Sequence, residues 1–355
     1  MLLLPIAMSL IANQTDTATL KKRGFEVLEQ IRREYYLPES KLYAEEIDRD
    51  GKKSGPCFNW GTGVLLSTLN AAAKLDPKYK PWLKEYADAS RVYWNDKGPV
   101  PGYDVLPGPK PVDRYYDDNA WMVLALIETY EILGDKKYLQ WAEESLTYVL
   151  SGWDEKLGGG IYWRESEKTS KNTCSNGPSA AACIRLADHE DLDSYIGSAQ
   201  KILRWTEKNL RDPKDGLYWD NMNLDGKIEK TKWTYNTALM MYSYAKLPGS
   251  PVRDQKELVQ SSLNHWIDPT TGAAKDGGKF VHLWFEGLDA AAKGDKEVRA
   301  KMIKALDYMY ANARSPEGRF ADRWDRKIKP NQEKFAVIDQ ASVARALLFA
   351  VSTSK

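Results

Sequence analysis

Residues 114–133 read RYYDDNAWMVLALIETYEIL. From Asn119 onward the run is apolar almost all round, too long for a strand and free of Gly and Pro. Such a segment reads as a helix buried on every side. Five further runs share this character, starting near Trp60, Gly177, Tyr235, Val281 and Val337. Runs of a second kind alternate with them. Residues 136–150, KKYLQWAEESLTYVL, put Leu139, Ala142, Leu146 and Val149 on one stripe and turn Gln140, Glu143 and Glu144 away. Residues 193–210 stripe Ile196, Ala199, Ile202, Leu203 and Leu210, and residues 296–310 stripe Val298, Met302, Ala305 and Met309. Residues 17–36, 79–94 and 253–267 behave alike. One-sided stripes at helical spacing predict helices wet on one face.

The order is therefore outer helix, inner helix, six times over. Asn59 to Asp117 and Asp117 to Ser175 each span 58 residues, and Ser175 to Tyr235 spans 60. Tyr235 to His282 spans 47 and His282 to Asp339 spans 57. A repeat of this length predicts an all-α (α/α)6 barrel, six inner helices ringed by six outer ones. Links from inner to outer helices are short, such as Gly134–Asp135. Links from outer to inner helices are long and carry turn and strand signals, as in GGGIYWRES (158–166), DGLYWDNMNLDGKIEK (215–230) and PEGRFADRWDRKI (316–328). Long loops gathered on one face of a rigid scaffold are where function concentrates. That face holds the N-termini of all six inner helices.

The chain has 355 residues, with 51 Lys and Arg against 50 Asp and Glu. A net charge of +1 offers no electrostatic recruitment of nucleic acid or an anionic membrane. The 13 Trp and 20 Tyr against 7 Phe favour rings with a polar tip, which suit the C–H faces and hydroxyl edges of sugars. Three Cys (Cys57, Cys174, Cys183) and three scattered His (His189, His265, His282) match neither a disulfide framework nor a metal site, with a single disulfide left open. Residues 1–15, MLLLPIAMSLIANQT, resemble the apolar core of a secretory signal without its basic start. Secretion or periplasmic export is the expectation, with residues 16–355 as one catalytic domain.

Asp117 and Asp118 stand side by side at the mouth of the second inner helix. An N-cap needs one acid. Two adjacent acids share protons: when one is charged, its neighbour loses its proton less readily. One charged and one protonated carboxyl is the equipment of glycoside hydrolysis. Tyr115, Tyr116 and Trp121 are expected to wall the site. Polar and aromatic residues recur at the other mouths: Asn59 and Trp60, then Asn172, Ser175 and Asn176, then Trp233, Tyr235 and Asn236, then Asp339 and Gln340. Their paired donors and acceptors suit sugar hydroxyls. Each taken alone reads equally as a cap or turn residue. The loop tryptophans Trp153, Trp163, Trp219 and Trp324 are candidate stacking platforms for sugar, with packing beneath a loop the expectation for any single one.

At these residues the chain resembles glycoside hydrolase family 76, the α-1,6-mannanases. YYDDNAWMVLAL, GGGIYWRE with KNTCSNGPSAAACIRLA, DGLYWDNM and WTYNTALMM carry the likeness, from about residue 115 to 245. The resemblance implies an (α/α)6 barrel and an endo-acting, anomer-retaining mechanism on α-mannan polysaccharide or oligosaccharide. It implies Asp117 as nucleophile, Asp118 as general acid/base, and Asn176, Asp220, Tyr235 and Asn236 along the sugar subsites, beside which Trp219 is a further candidate sugar contact. No cofactor and no metal are expected, and a monomer without a membrane span is expected. GGKFVHLWFEGL departs from the family's usual Lys-Gly pair, and Met122 stands where many members repeat an aromatic. Transglycosylation by the same pair, and a non-cutting α-mannan receptor, are the rival readings.

Overall fold

The computed structural model describes residues 15–108, 113–190, 192–250 and 255–353. The apolar segment read as an export signal lies outside them, apart from Thr15. Twelve α-helices are present among the described residues. The outer ones are α1 (Thr17–Tyr35), α3 (Lys80–Ser90), α5 (Lys136–Leu150), α7 (Leu192–Leu210), α9 (Lys256–Trp266) and α11 (Lys296–Asn312). The inner ones are α2 (Asn59–Leu75), α4 (Tyr116–Leu133), α6 (Thr173–Leu186), α8 (Thr234–Lys246), α10 (Gly278–Ala292) and α12 (Val337–Ser352). Each inner helix packs on the next, and α12 packs back on α2, so the inner ring closes. The six-fold alternation read from the repeat is the observed (α/α)6 architecture.

Local chemistry sets the boundaries. Asp16 caps α1 by accepting the Thr19 N–H at 2.6 Å, and Arg32 and Arg33 sit in its last turn, where the helix dipole favours cations. The stripe predicted on α5 (Leu139, Ala142, Leu146, Val149) is wholly buried. So is that on α11 (Val298, Met302, Ala305, Met309). Burying such a side chain is worth about 1.5–3 kcal/mol, which holds the outer ring to the inner one. Inner helices approach closely where residues are small. A Cβ on Gly287 would lie 2.5 Å from the Ala238 carbonyl oxygen, so α8 and α10 meet backbone to backbone.

The main apolar core fills the space between the two rings. A second cluster of Trp121, Cys174, Ala181, Tyr235 and Leu239 joins the inner helices α4, α6 and α8. Below Trp121 a cavity of about 330 Å³ continues between Glu128, Arg185, Tyr242, Glu286 and Arg345. Arg345 binds Glu286 at 2.8 Å and Glu128 at 3.2 Å, and its guanidinium also reaches the Ser67 carbonyl at 2.7 Å. The three cysteines are free and buried, so the disulfide left open by the sequence does not form. Among the described residues no helix is long and apolar enough to cross a membrane.

The outer-to-inner loops carry short antiparallel strands. β1 (Tyr36–Leu37) pairs with β2 (Leu42–Tyr43), and β4 (Trp94–Asn95) with β5 (Gly102–Tyr103). β6 (Ser170–Asn172), β7 (Trp219–Asn223) and β8 (Ile228–Lys232) form a three-stranded sheet beside the third and fourth inner helices. β3 (Glu46–Asp48) pairs with β9 (Lys334–Ala336), joining the first loop to the last across the ring closure.

Candidate active site

α4 opens at the catalytic face with Tyr115 as an extended N-cap and both acids in its first turn. Adjacent helical positions diverge by about 100°, so the two carboxyls and the two preceding tyrosines meet different surroundings. Tyr115 stays half-buried beside Trp163, ring centroids 5.0 Å apart. Tyr116 turns into the core and stacks on Tyr148 at 5.0 Å. It is no wall of the cleft, contrary to the expectation from sequence.

The two acids are held differently. Asp117 Oδ2 accepts the Trp163 indole N–H at 3.2 Å. Burial raises its carboxyl to about 7, while the backbone N–H groups of residues 117 and 118, the Cys174 thiol and Trp163 all favour the charged form. Asp118 is only 8% exposed. Burial, and then the charge of Asp117 beside it, push its carboxyl well above the usual range. Both carboxyls are thus raised by burial, so the pair holds a proton at neutral pH, and Asp117 carries the hydrogen bonds that favour a charged oxygen. This is the division of labour that acid-assisted displacement at an anomeric carbon requires.

Around the pair lie aromatics from four helix mouths. Trp121, 7% exposed, forms the floor with Tyr235. Tyr235 stacks on Phe280 at 4.4 Å, and Phe280 in turn contacts Trp60 at 5.7 Å and Trp233 at 5.2 Å. Lys279 lies over the Trp60 ring at 5.3 Å. Asp339, in the first turn of α12, is raised to about 7 by burial, against the pull of Lys279. Asp220, half-buried on β7, is raised by burial and bound by Asn221 at 2.9 Å and Asn236 at 3.5 Å. Trp219 is half-buried with Lys230 over its ring at 5.2 Å.

Several predicted sugar contacts serve the scaffold instead. Asn176 is fully buried, and its amide bonds both backbone groups of Ile161. Asn119 does the same to Tyr103, and Gln340 to Phe320. Each clamp stands four residues after its helix's N-cap and pins the long loop that leads into that helix. Thr237, at the equivalent place in α8, accepts the Tyr218 N–H at 3.2 Å. Asn172 is the N-cap residue of α6; its side chain accepts from Ser170 at 2.7 Å, and its carbonyl accepts from Asn176. Asn59 and Ser175 are fully buried at the first and third helix mouths. Asn236, also fully buried, acts on the cleft through Asp220.

Two residues, Phe280 and Cys174, went unrecognised in the sequence, and a third, Trp163, was read as a stacking platform only second to packing. Trp163 was expected to pack under its loop, yet it is 41% exposed and bound to Asp117. Its place directly after GGGIY was the available signal, since a glycine run permits a sharp turn that aims the next residues. Phe280 and Cys174 left no signal beyond ordinary helix composition. His282, given no role, is buried in α10, where burial drops it to about 4 and keeps it neutral. Among the described residues no group of His, Cys, Asp and Glu is placed to hold a metal ion.

Fold and site together define a class: a barrel that sets two adjacent carboxyls of unequal proton affinity in an aromatic cleft, which is glycoside hydrolase equipment. The chain belongs to glycosyl hydrolase family 76, whose family model matches residues 20–317. It is 28% identical to the family 76 α-mannanase of Bacteroides thetaiotaomicron, with a TM-score of 0.85 and 96% of each chain covered. It also superposes, with a TM-score of 0.79 at 21% identity, on an inactive variant of the α-1,6-mannanase of Salegentibacter sp. in complex with α-1,6-mannotriose, covering 94% of this chain and 100% of that one. In that variant two consecutive aspartates are replaced by asparagine. A mannan endo-1,6-α-mannosidase of Candida glabrata is 28% identical over 162 residues, 41% of this chain and 36% of the relative. The chain spans between 27% and 46% of the length of the curated relatives it matches.

Proposed function

We propose that the chain hydrolyses α-1,6-mannosidic linkages within linear mannan and retains the anomeric configuration. Asp117 attacks the anomeric carbon, and Asp118 protonates the leaving oxygen, then activates water to release the mannosyl intermediate. The observation that carries this reading is the unequal surroundings of the two acids: Asp117 Oδ2 accepts the Trp163 indole N–H, and such bonds oppose the rise that burial gives its carboxyl, whereas Asp118 is pushed up by burial and by the charge of Asp117. Residues 117–118 are the one Asp-Asp pair in the sequence, and the Salegentibacter mannanase is inactivated at two consecutive aspartates. Export belongs to the same proposal, because a polymeric mannan is met outside the cell membrane.

Incubation with linear α-1,6-mannan tests it. A ladder of oligosaccharides marks internal cutting, and mannose alone marks end-wise release. Proton NMR of the first product should show the α-anomer before mutarotation. Asp117→Asn and Asp118→Asn should each lower kcat by about 10²–10⁴-fold or more, with circular dichroism unchanged. Full activity in either variant removes the assignment.

A further inference from the structure

Whereas Trp324 is fully buried, Trp163 is 41% exposed, the most open tryptophan among the described residues. Its backbone is held from both sides. The Trp163 N–H donates to the Ser170 carbonyl at 3.2 Å, and its carbonyl accepts the Tyr116 N–H at 3.0 Å. The zipper continues: Tyr115 bridges Arg164, and the Glu165 N–H donates to the Arg114 carbonyl at 3.0 Å. Arg114, 5% exposed, grips Glu165 through two bonds of 2.7 and 3.0 Å. Behind the strand, Gly160 has φ +89° and lies so close to Trp205 that a Cβ would sit 2.7 Å from that ring. An indole this exposed gives up apolar burial, yet this one is fixed in place and aimed at a carboxylate.

We propose that Trp163 is a positioning and specificity residue: its N–H fixes the Asp117 carboxylate through Oδ2, and its open ring face stacks on the mannose unit beside the cleavage point. The inference rests on Asp117 being the nucleophile of a mannan-cleaving site. A carboxylate anchored at one oxygen cannot spin about its Cβ–Cγ bond, which leaves the other oxygen at a set angle to the sugar. The flat indole matches the C–H face of a pyranose and excludes water from one side of the reacting centre. The two roles belong to different parts of the side chain, so they separate by substitution.

Trp163→Phe keeps a ring and loses the donor; Trp163→Ala loses both. On linear α-1,6-mannan, Trp163→Phe should lower kcat about tenfold and leave KM within about threefold. Its acid limb of kcat/KM should move to higher pH, because removing a donor favours the protonated carboxyl. Trp163→Ala should in addition raise KM about tenfold. In the Asp117→Asn, Asp118→Asn background, which does not cut, Trp163→Ala should weaken α-1,6-mannotriose binding about tenfold by calorimetry, and Trp163→Phe should bind within about threefold of the parent. An unchanged kcat and pH profile in Trp163→Phe overturns the positioning role. Unchanged mannotriose affinity in Trp163→Ala overturns the stacking role. Wild-type protein inactive on mannan is a different result, one that removes the functional reading itself.

Discussion

Asn176 holds both backbone groups of Ile161: the Ile161 N–H donates to Oδ1 at 2.9 Å, and Nδ2 donates to the Ile161 carbonyl at 3.0 Å. Nδ2 also donates to the Asn172 carbonyl at 2.8 Å, one turn back in the helix. Asn119 and Gln340 repeat the same three bonds at two other mouths, to Tyr103 and Tyr115 and to Phe320 and Ala336. A long loop cannot satisfy its buried backbone groups by itself. A side-chain amide with one donor end and one acceptor end does it at a single residue. The GGGIYW loop reaches the cleft through this clamp.

Asn176→Ala should therefore act on stability before it acts on sugar affinity. It strands the Ile161 N–H and carbonyl away from water, at a cost of about 2–4 kcal/mol. Urea denaturation should show a lower midpoint with an unchanged slope. A variant as stable as the parent but weaker on mannotriose would restore Asn176 to the sugar contacts.

The catalytic pair should cost the protein stability at alkaline pH. Asp117 rises from 3.8 to about 7 in the folded state, and Asp118 rises further. Folded protein thus holds protons that the unfolded chain has lost above pH 4. The stability linked to these protons is complete below the unfolded value and drains away as pH climbs through the folded values. Asp117→Asn with Asp118→Asn should melt above the parent at pH 8, by about 2–4 kcal/mol in stability. The gap should close toward pH 4. A difference independent of pH would mean that the pair is not protonated as described.

Arg345 joins three inner helices through Glu286, Glu128 and the Ser67 carbonyl. Arg345→Met leaves two carboxylates facing each other in the barrel axis and should cost about 3–5 kcal/mol. Arg345 holds Glu286 below the usual glutamate range despite burial. Stability from that pairing is present above the unfolded value of 4.5 and lost as pH falls through the folded one. The deficit of Arg345→Met should accordingly be greatest near neutrality and shrink in acid. Adding Glu128→Gln and Glu286→Gln should recover part of it, measured by thermal unfolding.

Lys171, fully buried on β6, gives its ammonium to the Asp154 carboxylate at 2.6 Å and to the carbonyls of Asp154, Lys156 and Gly159 at 3.0, 2.8 and 2.6 Å. It ties down the stretch just before Trp163. Lys171→Met should cost about 3 kcal/mol and open residues 154–160 to limited proteolysis. Uncut protein under conditions that leave the rest of the fold intact would show that the glycines alone hold the loop.

The alternation of fully apolar and one-sided runs was enough to place twelve helices, because burial on all sides and burial on one stripe leave different periodicities in the chain. Asp117 and Asp118 were legible for a similar local reason: like charges placed together at a helix mouth have few structural uses. The neighbours were harder. Tyr115 and Tyr116 are equivalent in sequence, yet one faces the cleft and the other Tyr148, since a single helical step turns a side chain by about 100°. Asn176 and Gln340 carried the chemistry of a sugar contact and became clamps, because each meets the backbone of a loop that returns from elsewhere in the chain. Trp163 read as a stacking platform only second to packing, and the loop's own pairing leaves it open beside Asp117. Composition and period determined the barrel and the position of its acids. Which polar and aromatic groups surround those acids was decided only when long loops, each bonded to a different helix mouth, settled into place, for those bonds join residues whose nearness the order of the chain does not record.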